Sequence, residues 1–142
     1  MSAKQALRSQ YLAALKMLKE AIVKCPPSVW DAPEDKDRFW SKARHALRYA
    51  HRDLHAGLGG FVPWTGRSWS DPRAVLSKRE VIEYLDFLAR QVADRIFHAD
   101  NLERMIVGLR HIQQHTGELS ERLGTREAIV LHWTEQVHRS EK

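Results

Sequence analysis

Two histidines four residues apart, His111 and His115, are the strongest candidates for chemistry in this sequence. They occur in LRHIQQHTGEL (109–119), a segment whose apolar residues recur at helical spacing. Side chains at positions i and i+4 of a helix lie one turn apart on the same face. Two imidazoles placed in this way can bind one divalent ion, so the pair predicts half of a metal site.

Spacing alone does not select this pair, because the chain is rich in histidine. It contains eight histidines: His45, His51, His55, His98, His111, His115, His132 and His138. His51 and His55 form a second pair with the same spacing, but three arginines interleave with them in RHALRYAHR (44–52). Neighbouring cations disfavour a bound metal ion, so we interpret that pair as part of a solvated helix face. The alternative for His111 and His115 is that they lie at the edge of the core and form hydrogen bonds with neighbouring residues.

The position of His111 and His115 on their predicted helix favours a site. Both lie beside the apolar stripe of the helix, on the flank that carries Gly108. A glycine inside a helix costs about 1 kcal/mol relative to alanine. We therefore expect Gly108 to leave space there for a ligand or for a closely packed helix.

Charge and composition restrict the class of protein. The net charge is +5 and the pI about 9.6. However, lysine and arginine are scattered singly among acidic residues and form no recognition motif, so nucleic acid is not the expected partner. The single cysteine, Cys25, excludes an internal disulfide and fits the reducing cytoplasm. Apolar runs are too short to cross a membrane. We predict one cytoplasmic domain over residues 1–142.

Helix signals dominate the chain. Apolar periodicity and punctuation by proline, glycine and capping residues predict helices over about 3–24, 36–57, 78–98 and 101–123, with a short fifth helix after Thr125. A Gly-, Pro- and Trp-rich crossover (59–76) joins the second helix to the third. The predicted fold is all-α, a four-helix bundle, and a bundle core can build a metal site from facing helices.

Two motifs together resemble the DinB/YfiT-like superfamily. Phe39-Trp40 followed by His45 is similar to the second-helix pattern of that family, and HIQQHTGEL (111–119) is similar to its fourth-helix signature. The early LxxAI…PPSVWDAP segment also resembles the first helix and loop of the family. The resemblance covers most of residues 5–123.

The resemblance implies a fold and a site. Members are up-down-down-up four-helix bundles, often dimeric, and many hold a divalent metal, commonly nickel or zinc, on three histidines. Carried over to this sequence, those ligands are His45, His111 and His115. The chain departs from the family pattern at His51, where relatives have an acidic residue, and at Glu118, where they have glutamine.

The helical wheel of the second helix raises an objection to His45. It points away from the apolar stripe that contains Trp40, Leu47 and Leu54. If His45 faces the core, that stripe has to be covered by something else, so we predict a homodimer through this face. If the protein is a monomer, His51 is the rival third ligand.

Two functions remain open at this point. Three imidazoles leave a divalent ion with open positions, which suits an enzyme of the thiol-S-transferase or hydrolase kind acting on a small-molecule or thiol substrate. Glu118 and Tyr49 are candidates for a general base or an orienting group, and Phe61, Trp64 and Trp69 of the crossover for a ligand-binding wall. The alternative is a non-catalytic, stress-related or binding protein whose metal is structural, vestigial or absent.

Overall fold

The all-α prediction is confirmed by a computed structural model of the protein. The structure describes residues 1–66 and 75–137, and no strand occurs among them. The helices are α1 (Ala3–Lys24), α2 (Pro27–Trp30), α3 (Phe39–Gly57), α4 (Lys78–Arg95) and α5 (Leu102–Glu127), with a short 3-10 helix at Ile96–His98.

Capping residues set the starts of α1 and α4. Ser2 and Gln5 form a capping box at the first turn of α1, and Ser77 and Glu80 form another at the first turn of α4. Asn101 caps α5, since its side chain accepts a hydrogen bond from the Arg104 amide at 3.0 Å.

The loop before α3 is more structured than predicted. It contains the single turn α2, and α3 begins at Phe39 rather than near residue 36. Asp31 Oδ1 accepts hydrogen bonds from Trp40 Nε1 at 2.7 Å and from the Arg38 guanidinium at 3.0 Å. These bonds hold the loop against the start of α3.

The core lies between four helices, in which α1 and α3 each pack against both α4 and α5. Tyr11, Leu15 and Leu18 of α1 are fully buried there, as are Leu47 and Leu54 of α3. The stripe of α3 that was expected to be exposed therefore lies in the chain's own core. Because the stripe is already covered within the chain, it does not need a second subunit to bury it. The homodimer itself stays a prediction.

The short fifth helix predicted after Thr125 does not form in the described residues, so this prediction is wrong. α5 continues through Gly124 and Thr125 and ends at Glu127, where Ala128 adopts the left-handed conformation with φ 53°. Residues 129–137 form no helix and lie along α1. Side chains of α1 bind their backbone groups, and these bonds replace the ones a helix would make.

The described part of the crossover packs on α4 instead of forming an open wall. The Trp64 ring lies 5.5 Å from the Tyr84 ring and 5.1 Å from the Phe87 ring, measured between centroids, and Phe61 is 9% exposed. Trp69 lies outside the described residues.

None of the helices in 1–66 and 75–137 has both the length and the apolar character that a membrane span requires.

Candidate metal centre on the α3–α5 seam

The candidate site lies on the seam between α3 and α5, which run in opposite directions. Lys42 pairs with Glu118 at one end of the seam, and Gly57 meets Met105 at the other. Between these ends the seam brings His45 of α3 beside His115 of α5. The antiparallel arrangement thus joins two motifs that are far apart in sequence.

Three imidazoles and one phenol ring form a contiguous cluster on this seam. The centroids of the His45 and His115 rings are 5.1 Å apart, and the rings meet edge to face. Tyr49 contacts His45 at 4.5 Å and His111 at 4.7 Å. The Arg52 guanidinium lies over the Tyr49 ring at 4.5 Å. The structure therefore brings together the three histidines that the family resemblance selects.

Two ring nitrogens of the cluster are buried without a partner. Nδ1 of His111 and Nδ1 of His115 are shielded from solvent, and neither has a hydrogen-bond partner among the described residues. A buried polar atom left in this state costs about 1–3 kcal/mol. Burial also lowers the pKa of His115 and of His45, which favours the neutral imidazole, the form that binds metals.

His51 lies away from this cluster. Its Nδ1 forms a short hydrogen bond with the Tyr84 hydroxyl of α4, and its ring packs on Phe61 at 5.2 Å. Burial lowers the pKa of His51. The structure thus places His45, and not its rival His51, beside the α5 histidines. The reason is the turn of α3, which directs His51 towards α4.

Acidic and basic side chains flank His115. Lys42 Nζ forms ion pairs with Glu118 and, at 3.1 Å, with Asp37. The hydrogen bond from Lys42 holds the pKa of the Glu118 carboxyl below its usual range. Glu118 Oε1 lies 3.7 Å from Nδ1 of His115. Lys42 and Asp37 were not predicted, and Lys42 is 76 residues from Glu118, too far for helical spacing to link them.

The cluster is an assembly of neighbours rather than a preformed coordination shell. In the described ranges, no group of three or more His, Cys, Asp or Glu side chains is positioned as it would be around a metal ion. An open pocket of about 510 Å³ adjoins the cluster on α5, lined by Val107, Arg110, His111, Gln113 and Gln114. A small molecule can therefore approach His111 from solvent.

Comparisons with known proteins identify no relative of this chain. No family model matches the chain, and neither a curated protein nor a solved structure matches it.

Proposed function

We propose that this chain is a DinB/YfiT-like protein that binds a divalent metal ion, zinc or nickel, on His45, His111 and His115. The observation that carries the proposal is the clustering of the three rings: His45 packs against His115 at 5.1 Å, and Tyr49 lies between His45 and His111 at 4.5 and 4.7 Å. Imidazole nitrogens are common ligands for both metals. The donor set therefore fits the metal that the resemblance implies.

The same proposal includes the bundle topology. We propose that α1, α3, α4 and α5 form an up-down-down-up four-helix bundle with the crossover between α3 and α4. The opposite directions of α3 and α5, and the contacts of α1 with both α4 and α5, support it.

We further propose a metal-dependent reaction on a small molecule, of the thiol-transfer or hydrolysis kind. A divalent ion held by His45, His111 and His115 would supply Lewis acidity, which favours the ionised form of a thiol or of water. The chain's own residues would then act around it. Tyr49 fixes the His45 and His111 rings by packing on both, and the pocket beside His111 admits the substrate.

Elemental analysis of the purified protein tests the metal site. We expect the wild type to bind one zinc or nickel ion per chain and His111→Ala or His115→Ala to lose it, because each substitution removes one of three donors. His45→Ala is expected to lose it as well. His51→Ala is the matched control, since His51 is another half-buried histidine of α3 that bonds to Tyr84 instead.

Two results would contradict the proposal. One is a wild-type protein that takes up neither zinc nor nickel in stoichiometric amount after incubation with the ion and gel filtration. The other is full metal content in a variant that lacks both His111 and His115, provided that circular dichroism shows native helicity.

A further inference from the structure

Glu118 is a carboxylate beside the histidine cluster, and other residues fix its position. Lys42 Nζ bonds to it, and Lys42 is in turn held by Asp37 at 3.1 Å. The Lys42 side chain is only 16% exposed, so it is confined between the two carboxylates. Gln114 Nε2 lies 3.5 Å from Glu118 Oε1. Glu118 is thus anchored by residues from both helices of the seam.

The anchored carboxylate faces a ring nitrogen that lacks a partner. Nδ1 of His115 is buried, makes no hydrogen bond within the described parts of the chain, and lies 3.7 Å from Glu118 Oε1. A neutral imidazole carries one N–H donor and one acceptor nitrogen, and the hydrogen bond of one nitrogen decides which is which. A small rotation of either side chain brings the two atoms within hydrogen-bond distance.

We propose that Glu118 is a positioning residue of the metal site, accepting a hydrogen bond from Nδ1–H of His115 and so leaving Nε2 of His115 as the ligand atom. This inference rests on the proposed function. Carboxylates that bind the second nitrogen of a ligating histidine fix its ring orientation and increase its basicity. Lys42 contributes indirectly, because it keeps the Glu118 carboxylate at the seam.

The chain supplies a reason for glutamate at this position. The Lys42 ammonium stands between Glu118 and Asp37 and compensates part of their charge. An ionised carboxylate accepts stronger hydrogen bonds than an amide oxygen does. Glutamine at 118, the residue of the family pattern, would keep an acceptor but lose the ion pair with Lys42.

The first test measures zinc affinity by competition with a chromophoric chelator. Loss of a carboxylate partner of a ligating histidine typically weakens metal binding about 10–100-fold, and we expect this loss in Glu118→Ala. Glu118→Gln should lose less, because its amide oxygen still accepts. Glu121→Ala is the matched control, an exposed glutamate of the same helix, and should bind zinc like the wild type.

The second test needs no metal. Nitrogen-15 shifts of the His115 ring in the metal-free protein should show the Nδ1–H tautomer in the wild type and a shift towards Nε2–H in Glu118→Ala. Lys42→Met should also shift the His115 tautomers towards Nε2–H, but less, because it removes the ion pair that holds Glu118 and leaves the carboxylate itself in place. A general loss of structure would instead alter all histidine signals and the circular dichroism.

The outcomes separate the two proposals. If the wild type binds zinc and Glu118→Ala binds it within about twofold of Glu121→Ala, Glu118 has no positioning role and this inference alone fails. An Nε2–H tautomer in the wild type would overturn it equally. If the wild type binds neither zinc nor nickel, the proposed function fails, and with it the role of Glu118 in a metal site.

Discussion

Gly108 lies where α5 comes closest to Tyr11 of α1 and Asp53 of α3. A Cβ atom at this position would be 2.7 Å from the Tyr11 hydroxyl and 3.0 Å from Asp53 Cβ. Asp53 is fully buried and forms ion pairs with Arg104 at 2.8 Å and Arg52 at 3.1 Å. The missing side chain therefore serves close helix packing, the second of the two roles that the sequence suggested. It does not open a ligand space beside the histidines.

The first prediction concerns this contact. Gly108→Ala should destabilise the fold, because overpacking a core costs about 1–3 kcal/mol and exceeds the gain of about 1 kcal/mol in helix propensity. Gly117→Ala is the control on the same helix, since its Cβ would meet nothing within 4 Å, and should be neutral or stabilising. Urea unfolding of both variants measures the difference.

Tyr11→Phe completes that experiment. The Tyr11 hydroxyl is buried without a hydrogen-bond partner in the described structure, and removing it also removes the atom closest to the new methyl group. The double variant Tyr11→Phe/Gly108→Ala should recover part of the lost stability. An unchanged loss would show that contact with Asp53, and not with Tyr11, limits the packing.

The end of α5 shows how one element determines the course of the next. Ala128 N donates to Gly124 O at 3.2 Å, which is the single bond of an αL C-terminal motif, and Ile129 N donates to Leu123 O at 3.2 Å. The residue at the left-handed position of this motif is usually glycine, and here it is Ala128. The motif ends α5 and turns the following residues back towards α1.

Replacing Ala128 by glycine tests this account of the helix end. A non-glycine residue in the left-handed conformation costs about 1–2 kcal/mol, and Ala128→Gly removes this cost. Glycine also has greater freedom in the unfolded chain, which offsets part of the gain. We therefore expect Ala128→Gly to stabilise the protein by up to about 1 kcal/mol. Ala89→Gly, in the interior of α4, should destabilise by about 0.5–1 kcal/mol. Thermal unfolding followed by circular dichroism at 222 nm measures the change in stability of both variants. Destabilisation by Ala128→Gly would contradict this account of the helix end.

At the scale of the whole molecule, residues 129–137 follow the end of α5 and bind along α1. Four side chains of α1 bind it: Lys24 at Val130, Glu20 at His132, Gln10 at Glu135 and Ser9 at Val137. Glu20 makes the most of these contacts, accepting from the His132 amide at 3.0 Å and ring nitrogen at 2.8 Å and pairing with Lys24 at 2.9 Å. We therefore expect acid to weaken this connection.

The pH dependence of stability should report the Glu20 contacts. The hydrogen bond from Lys24, together with those from His132, lowers the pKa of Glu20 to about 2. Because the folded pKa lies below the unfolded one, the stabilisation is complete above about pH 4.5 and is lost as the pH falls towards 2. Glu20→Gln should remove this part of the acid sensitivity, measured by urea unfolding between pH 2 and 6.

Glu83→Gln serves as the matched control for that experiment. Glu83 pairs with Arg79 one turn away on the surface of α4, and both side chains are more than half exposed. Such a pair contributes little to stability, so the variant should keep the wild-type pH profile. A Glu20→Gln profile that coincides with the wild type would show that the contacts of the Glu20 carboxylate do not stabilise the fold.

The sequence by itself determined the parts of this protein that depend on local interactions. Apolar periodicity and capping residues predicted the four long helices, with α1 and the start of α4 correct to the residue. The i,i+4 spacing of His111 and His115 likewise placed both side chains on one helix face. These features need only the geometry of a single helix, which neighbouring residues define.

Only the tertiary structure decided the features that depend on residues far apart in the chain. It placed His45 and not His51 beside His115, buried the Trp40 and Leu47 stripe within the chain, and brought Lys42 to Glu118. It also kept residues 129–137 extended, because side chains of α1 satisfy their backbone groups. The physical reason is the same in each case: helix rotation and long-range hydrogen bonding are set by how the helices pack.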